Sequence, residues 1–453
     1  MKGNACLAVV PVLFAVLCLY SAFATASAAA DKEESGIKVS KEGQACISCH
    51  EPQSPSFVED WRGSRHAMMG VDCYSCHRAE PTDVDAKKHY GFTIAVLVTP
   101  EDCGKCHPTE VKEFTGSHHA KAGDILNSLD NYLGEVVAGP QAVTVGCVQC
   151  HGSKVRVLAN GSLDPATWPN TGIGRINPDG SRGSCAACHT RHSFSVAQAR
   201  QPEACGKCHL GPDHPQMEIY MESKHGILYQ AKKSQLNLDK RSWVVGKDYT
   251  AAPTCATCHM GATPDQAATH DVGTRLSWTL RPPISKKMEN SEKKRADMED
   301  VCYNCHSAPF VEGHYKQFDD VVNLYDTKFA KPATDIMKEL ADRGIIKKIE
   351  FDKKLDWTYF ELWHHEGRRA RMGASMSGPD YSWWHGMYDV TKDFYTEFLP
   401  EVRDVAGPKV YDELVKKYIE PDPGQDWYTK GISKEQLERI KKFYQERYGE
   451  KVQ

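Results

Sequence analysis

The stretch Cys46-Ile47-Ser48-Cys49-His50 opens a series of eight Cys-x-x-Cys-His motifs in this chain of 453 residues. The others are Cys73–His77, Cys103–His107, Cys147–His151, Cys185–His189, Cys205–His209, Cys255–His259 and Cys302–His306. The motifs take up sixteen of the eighteen cysteines. In this spacing two thiols add across the vinyl groups of a haem, and the adjacent histidine becomes an axial ligand of its iron. The chain is therefore predicted to be an octahaem c-type cytochrome.

Each motif supplies two attachment sites and one proximal ligand. The predicted attachment sites are Cys46, Cys49, Cys73, Cys76, Cys103, Cys106, Cys147, Cys150, Cys185, Cys188, Cys205, Cys208, Cys255, Cys258, Cys302 and Cys305. The predicted proximal ligands are His50, His77, His107, His151, His189, His209, His259 and His306. A set of zinc ribbons is the alternative, but zinc ribbons pair two Cys-x-x-Cys units per metal and need no histidine after each unit.

The first 28 residues have the pattern of a signal peptide. Lys2 gives a short positive region, Leu7–Ala24 is largely apolar, and Ala26-Ser27-Ala28 fits a cleavage site. A lipid anchor on Cys18 is the alternative, but Leu17 stands where lipoprotein processing needs a small side chain. We therefore expect a soluble periplasmic protein, which agrees with the oxidising compartment that haem attachment requires.

Composition and spacing predict a mainly α-helical fold built around cofactors. Apolar residues make up 40% of the chain, and the formal net charge of −4 is too small to indicate a nucleic-acid partner. The motif histidines follow one another at irregular intervals, which excludes a solenoid and leaves room for loops and short helices. We predict an octahaem domain over 29–310 and a helical C-terminal domain over 311–453, where apolar residues recur at helical spacing.

The predicted C-terminal domain contains a helix near each of its ends. Phe318, Val322 and Tyr325 lie on one face of the first helix. Ser433-x-x-Gln436 resembles a capping box for the second helix, and it precedes a stripe that ends near Gly449. Such stripes usually indicate packing, so we expect this region to support the haem domain and to carry subunit contacts.

The number of histidines available as distal ligands bears on whether the chain contains a reactive haem. An electron-transfer haem has two strong axial ligands, whereas a reactive haem keeps one position open. Twelve of the 20 histidines lie outside the motifs, which is enough to close either seven haems or all eight. The seven predicted distal ligands are His66, His89, His118, His192, His225, His270 and His314. Residue types alone do not decide between His118 and its neighbour His119.

Several longer strings resemble the octahaem hydroxylamine oxidoreductase family. One runs from Cys205 through Cys208-His209-Leu-Gly-Pro-Asp213-His214-Pro to Ser223-Lys224-His225-Gly226. The others are Thr269-His270-Asp271-Val272, Glu361-Leu-Trp-His-His-Glu-Gly-Arg-Arg-Ala-Arg371 and Gly378-Pro-Asp-Tyr381-Ser-Trp-Trp-His385-Gly386. Together they cover nearly the whole chain from about residue 40 to 430, and most of them lie outside the haem motifs.

The resemblance implies that the fourth haem, held by Cys147, Cys150 and His151, is the reactive one. It places Asp213 and His214 over the open face, where a histidine backed by a carboxylate accepts protons well. The alternative for this pair is a turn fixed by Pro212 and Pro215. Tyr303 matches a further active-site tyrosine of the family.

The resemblance also bears on the direction of the reaction. Oxidising members bond a tyrosine of a neighbouring subunit to the catalytic porphyrin, which requires a homotrimer. Tyr381 is the candidate for that residue, and an ordinary packing tyrosine is the alternative. Members without the cross-link work reductively, on nitrite or hydroxylamine.

The leading hypothesis is a periplasmic hydroxylamine oxidoreductase that forms nitric oxide or nitrite. It would pass electrons through seven bis-histidine haems to a cytochrome or a quinone-linked protein. Hydrazine oxidation and nitrite or hydroxylamine reduction are alternatives on the same site. A different kind of function is also possible for such a chain: a non-enzymatic electron-transfer cytochrome, which would contain only low-spin iron.

Overall fold

A computed structural model describes residues 36–127, 129–347 and 351–449, so the predicted signal peptide over residues 1–28 lies outside the described residues. The described residues from Lys38 onward form one compact unit. This unit is mainly helical, as the short intervals between the motifs predicted. Within the described residues, no helix has both the length and the apolar character that crossing a membrane requires.

Short helices dominate the region that contains the first six motifs. In chain order they are α1 Lys41–Gln53, α2 Pro55–Arg62, α3 Arg65–Met68, α4 Cys73–His77, α5 Pro100–Gly104, α6 Pro108–Gly116, α7 Leu129–Tyr132, α8 Pro140–Val145, α9 Cys147–His151, α10 Val196–Ala199, α11 Pro202–Gly206, α12 Gln216–Glu222 and α13 Lys224–Lys232. Turns of 3₁₀ helix lie at Ala122–Asn127, Cys185–Ala187 and Lys233–Gln235, and a π-helical segment lies at Leu133–Ala138.

Twelve helices, some of them longer, run from the seventh motif to the end of the described residues. They are α14 Cys255–His259, α15 Ser291–Tyr303, α16 Ala308–Tyr325, α17 Lys331–Asp342, α18 Lys354–Glu361, α19 Gly367–Met376, α20 Pro379–Ser382, α21 Asp389–Asp393, α22 Leu399–Ala406, α23 Pro408–Tyr418, α24 Trp427–Lys430 and α25 Lys434–Tyr448. Further π-helical segments lie at Asp326–Ala330, Leu362–Glu366, Trp383–Tyr388 and Phe394–Phe398.

Helix capping fixes where several motifs begin. Asp72 precedes α4, and its Oδ1 accepts hydrogen bonds from the backbone N–H of Ser75 at 3.0 Å and from the Ser75 hydroxyl at 3.1 Å. Thr254 and Thr257 form the equivalent reciprocal box before α14. A capping box satisfies backbone donors that the first helical turn leaves without partners. In both helices the motif therefore forms one defined helical turn, with its two cysteines and its histidine held in a fixed relation.

Two small antiparallel sheets lie between the helices. Strand β1 (Lys87–His89) pairs with β2 (Phe92–Ile94), and β3 (Trp278–Thr279) pairs with β4 (Lys286–Lys287). The β1–β2 turn consists of Tyr90 and Gly91, which both have positive φ angles, of 45° and 91°. Two-residue turns with positive φ at both positions match the twist of a hairpin. The hairpin places His89 directly opposite Phe92.

The main hydrophobic core lies in the C-terminal region. Ile336, Leu340, Phe394, Phe398 and Leu414 are fully buried there. Each such side chain contributes about 1.5–3 kcal/mol when it leaves water. A smaller core packs Tyr220, Tyr229, Trp243 and Tyr249 between the sixth and eighth motifs. The predicted face of α16 is confirmed, because Phe318, Val322 and Tyr325 are buried.

The last helix begins as predicted. The capping box is confirmed, since Gln436 N donates to Ser433 Oγ at 3.1 Å and Ser433 N donates to Gln436 Oε1 at 2.7 Å. The apolar stripe of α25 is exposed, and Phe443 keeps 50% of its surface. Nothing among the described residues covers that helix face, and the expectation that this region carries subunit contacts stays a prediction.

The uneven distribution of the core predicts how the chain behaves without haem. We expect residues 41–210 to be cleaved rapidly in limited proteolysis of chain produced without haem attachment, since few apolar side chains are buried there and the motif cysteines are at best half-buried. The segment 325–419 should resist, because it contains the main core. Equal resistance of both regions would contradict this account.

Candidate functional site

Imidazole rings from distant positions in the chain face the motif histidines in pairs. The ring centres are separated by 6.0 Å for His50 and His89, 6.5 Å for His77 and His192, 6.2 Å for His107 and His66, 6.1 Å for His209 and His119, and 6.0 Å for His306 and His225. Two imidazoles on opposite sides of one iron have centres about 6 Å apart, because each metal–nitrogen bond is about 2 Å. These residues therefore fit haems with two histidine ligands.

The second nitrogen of several motif histidines is anchored to the protein. His77 Nδ1 lies 2.9 Å from the carbonyl of Ala95, and His151 Nδ1 lies 3.2 Å from the carbonyl of Ala122. When Nδ1 donates to a carbonyl, Nε2 is left as the nitrogen that binds a metal. The arrangement fits axial ligation of iron and sets the orientation of each ring.

Cysteines of different motifs are neighbours at three places: Cys103 with Cys185, Cys205 with Cys255, and Cys150 with Cys208. The first two contacts place the third motif beside the fifth and the sixth beside the seventh. The last contact places the fourth motif beside the sixth.

The predicted distal ligands fall into two groups. His66, His89, His192 and His225 lie opposite motif histidines as described above, and His270 is a neighbour of His189. His118 and His314 have no such ring partner among the described residues. His118 lies instead beside the Asp271–Gly273 turn. Its ring is 3.4 Å from the position that a Cβ atom would occupy on Gly273. Iron ligation by any of these residues stays a prediction.

The ring pairs allow a test of whether His119 or His118 is an iron ligand. We expect His119→Ala to add one high-spin haem equivalent to the ferric protein, because His119 faces His209 of the sixth motif. His385→Ala should leave the spin state unchanged, since His385 is exposed and paired with Asp380 at 2.7 Å. Electron paramagnetic resonance measures both. An unchanged spectrum for His119→Ala would exclude it as a ligand.

The predicted Asp213–His214 pair lies beside the fourth motif. His214 and Asp213 are neighbours of His151, the histidine of that motif. Asp213 Oδ1 is 3.6 Å from His214 Nδ1, and His214 Nδ1 is buried without a hydrogen-bond partner among the described residues. The His214 ring also lies 5.9 Å from His209, so it stands between the fourth and sixth motifs. A half-buried imidazole with an adjacent carboxylate is suited to accept and release protons.

The carboxylate of Asp213 is held from the far end of the chain. Arg368 Nη1, on α19, donates to Asp213 Oδ2 at 3.3 Å and lies 3.0 Å from His364 Nε2. His364 Nε2 is in turn 2.8 Å from Asp130 Oδ1, whose side chain is 42% exposed. A chain of polar groups therefore leads from Asp213 to the surface.

Positive charge surrounds Asp213. Burial lowers the pKa of Arg368 to about 10, which still leaves it protonated near neutral pH. Arg281 is a second cationic neighbour of Asp213, and burial lowers its pKa as well. His365 also lies near Asp213, and burial lowers its pKa to about 4, so its imidazole is neutral. The site therefore combines one carboxylate with two guanidinium groups.

The two candidate tyrosines lie elsewhere in the chain. Tyr303 ends α15 with 43% of its surface exposed, and its acidic neighbours are Glu299 and Glu312. Tyr381 is half-buried, its backbone N–H faces Glu222 at 3.4 Å, and its ring lies 5.5 Å from His385. Neither contact set includes the Asp213–His214 pair. Within one chain the structure does not bring these tyrosines to the fourth motif, and their roles stay predictions.

Sequence reasoning missed three members of the site: Arg281, Arg368 and His364. Arg368 and His364 belong to the string Glu361–Arg371, which entered only through its resemblance to the family. The available signal was the density of arginines in Gly367-Arg-Arg-Ala-Arg371, because arginines in a helix with buried neighbours need partners. The partners themselves could not be predicted, since Asp213 is 155 residues away.

Comparisons with known proteins agree with this geometry. Residues 177–352 match the family model described as seven times multi-haem cytochrome CxxCH, and residues 102–167 match the model of cytochrome c554 and c-prime. A relative from Kuenenia stuttgartiensis, a probable nitrite reductase-hydroxylamine oxidoreductase fusion protein, is 25% identical over 448 residues. The alignment covers 75% of this chain and 49% of the relative, so the chain spans about half the length of that protein.

Two solved structures share the fold. One, titled a hypothetical multiheme protein, is 25% identical with a TM-score of 0.73, and the match covers 83% of this chain and 96% of that one. The other is the reducing HAO-like protein complex of Kuenenia stuttgartiensis, which is 22% identical with a TM-score of 0.62 and covers 83% of this chain and 87% of that one.

The Cys-x-x-Cys-His motifs, the paired imidazole rings and the helical fold together define a multihaem c-type cytochrome. Within that class, the chain is similar to proteins whose names refer to nitrite reductase and hydroxylamine oxidoreductase.

Proposed function

We propose that this protein is a redox enzyme that converts a small nitrogen compound at the haem of the fourth motif, Cys147–His151. The main observation behind this proposal is that Asp213 and His214 lie beside His151. The motif histidines described above in pairs each face a second histidine ring. A haem bound there would supply an iron with one open axial position and would exchange electrons with the substrate.

The residues around this position would handle protons and charge. In the oxidative direction hydroxylamine gives up three protons and three electrons to become nitric oxide. His214 would accept protons at its imidazole, and Asp213 would stabilise the imidazolium that forms. Arg368 would orient the Asp213 carboxylate through its hydrogen bond. His364, which contacts Asp130, would hold Arg368 in place.

Hydroxylamine oxidation is the first candidate, and it rests on the resemblance of the strings around Asp213, His270 and Tyr381. Reduction of nitrite or hydroxylamine towards ammonia is the second candidate. The two guanidinium groups beside Asp213 favour it, because positive charge attracts an anion such as nitrite more than neutral hydroxylamine. The name of the fusion relative includes both activities.

Location and assembly follow as proposals. We propose that the protein works in the periplasm, since haem attachment needs an oxidising compartment. A homotrimer would allow Tyr381 to reach the fourth motif of a neighbouring subunit. The exposed aromatic residues Trp383, Trp384 and Tyr388 beside Tyr381 fit a surface that contacts another chain. A cytochrome or a quinone-linked protein would exchange electrons with it.

Two measurements on the purified holoprotein test the proposal. Steady-state assays with hydroxylamine plus an electron acceptor, and with nitrite plus a reductant, should show turnover in at least one direction. Mass spectrometry of haem peptides would separate the directions, because a peptide that links Tyr381 to a porphyrin supports oxidation and a free Tyr381 supports reduction. No turnover with either substrate, together with only low-spin iron, would overturn the proposal in favour of an electron-transfer cytochrome.

A further inference from the structure

A buried carboxylate lies between the first and second motifs. Asp72 precedes α4 and keeps only 2% of its surface. Its Oδ2 accepts a hydrogen bond from the backbone N–H of Ser40 at 2.9 Å, and its Oδ1 accepts one from the N–H of Ser75, inside the second motif, at 3.0 Å. Burial alone would raise the pKa of Asp72, but hydrogen bonds from Ser40 and Ser75 outweigh burial and lower it. Asp72 is therefore ionised at neutral pH.

The charge of Asp72 has no cationic partner in contact with it. In the parts of the chain that the structure describes, no lysine or arginine nitrogen lies within 4.0 Å of its carboxylate. The side chain lies against Gly43 of α1, three residues before Cys46 of the first motif. Neutral N–H and O–H groups hold the carboxylate, so its negative charge acts on both motifs.

A buried guanidinium lies at the seventh motif. Arg275 keeps only 3% of its surface. Its Nη1 donates a hydrogen bond to the carbonyl of Cys258 at 3.0 Å, and its Nη2 donates to the carbonyl of Gly261 at 2.8 Å. Its Nε donates to the side-chain oxygen of Gln266 at 3.2 Å. The guanidinium therefore lies across the C-terminal end of α14, bonded to the backbone of a predicted haem attachment residue.

The positive charge of Arg275 is also without a contacting partner of opposite sign. Burial lowers the pKa of Arg275, but an arginine stays protonated in proteins. Within the described ranges, no carboxylate oxygen lies within 4.0 Å of it. The nearby carboxylates have other contacts: Asp297 lies 2.5 Å from Lys293 Nζ, and Asp300 accepts from Gln266 at 2.5 Å. They reduce the field of Arg275 without forming an ion pair with it.

These two buried charges should affect haem reduction in opposite directions. Adding an electron lowers the positive charge of a haem iron by one unit. A nearby anion therefore stabilises the ferric form, and a nearby cation stabilises the ferrous form. At an effective dielectric constant of about 20, a unit charge about 10 Å away changes the equilibrium constant of reduction roughly tenfold.

We propose that Asp72 lowers the reduction potential of the second haem and that Arg275 raises that of the seventh, so that electrons collect at the seventh motif rather than the second. Each transfer between haems oxidises one ferrous iron and reduces one ferric iron, so it needs no further reactant. The inference goes beyond the proposed function, because the same charges would direct electrons in a cytochrome without a catalytic site.

The test is a potentiometric titration of the purified holoprotein, followed by the absorbance of the reduced haems. The variants Cys73→Ser/Cys76→Ser and Cys255→Ser/Cys258→Ser each lack one haem, so the component missing from each titration identifies the second or the seventh haem. In the wild type, the seventh haem should be reduced at a higher potential than the second. The reverse order would overturn the inference.

Single variants measure the effect of each charge. Asp72→Asn keeps the shape of the side chain and should shift the second haem about tenfold towards reduction, which is about 59 mV upward. Arg275→Gln should shift the seventh haem by about the same factor, about 59 mV downward. Arg275→Lys keeps the charge without the planar donors, and its potential should stay within about threefold of the wild type. A purely structural role would change haem retention in both Arg275 variants and leave the potentials of the bound haems unchanged.

The matched controls are Arg182→Gln and Asp124→Asn, which each remove one member of an exposed ion pair at 2.8 Å. Neither should change any component by more than about twofold, because solvent screens exposed charges. If Arg275→Gln loses the seventh haem, Arg275→Lys replaces it in the test, and a shift above about threefold would overturn the inference. An unchanged second haem in Asp72→Asn would also overturn it. Both outcomes leave the enzyme proposal intact, since that proposal depends on turnover and ligand binding at the fourth motif.

Discussion

Replacing His214 by alanine is expected to lower the turnover of hydroxylamine or nitrite by about 10²–10⁴-fold while every haem stays attached. The reason is that His214 is the titratable side chain that lies with Asp213 beside His151. Proton transfer must accompany each redox change of a nitrogen–hydrogen bond. Steady-state kinetics and a haem count on the same preparation measure this effect.

Asp213→Asn should also lower turnover, but by a smaller factor than His214→Ala. The amide keeps the shape of the carboxylate but no longer stabilises an imidazolium. The control is Asp124→Asn, which also removes a carboxylate paired with an arginine, at 2.8 Å, but on the surface. Its turnover should equal that of the wild type. Full activity of both His214→Ala and Asp213→Asn would show that the pair is a turn after a haem motif.

Removing the fourth motif is expected to have the largest effect of all. The double variant Cys147→Ser/Cys150→Ser should lose one haem by mass and all measurable turnover, because the proposed reactive iron is attached there. The remaining motifs should keep their haems, since each motif supplies its own two attachment cysteines. Intact-mass spectrometry and activity assays read out both results.

The matched control is Cys46→Ser/Cys49→Ser in the first motif, which also removes one haem. That variant should still bind nitrite or nitric oxide spectroscopically, because His50 and His89 belong to a pair far from Asp213 in the chain. Retention of ligand binding by the fourth-motif variant would place the reactive haem elsewhere.

The eight motifs were predictable because their chemistry is local. Attachment needs only two cysteines and a histidine within five residues, and capping residues such as Asp72 place these on one helical turn. Some distal partners could also be expected near their motifs. His192 follows a motif by only a few residues, although it faces His77 rather than its neighbour His189. Which rings meet depends on how loops fold, and spacing does not encode that.

Only some residues of the proposed reactive site could be predicted from the sequence. Asp213 and His214 are adjacent in sequence, so a resemblance could point to both. Arg368 and His364 come from the region beyond residue 310, which was predicted to support the haem domain and to carry subunit contacts. The boundary near 310 stays a prediction, but the helices beyond it contribute directly to the site. Contacts between residues this far apart arise from tertiary packing of α19 on the earlier helices.

The central claim is that the haem of the fourth motif alone has an open axial position. Quantitative electron paramagnetic resonance of the ferric holoprotein tests it most directly, with the total haem count measured on the same sample. The account predicts one high-spin haem equivalent per chain among eight, which nitrite or cyanide shifts and which the Cys147→Ser/Cys150→Ser variant lacks. A spectrum with only low-spin iron, unchanged by either ligand, would contradict it.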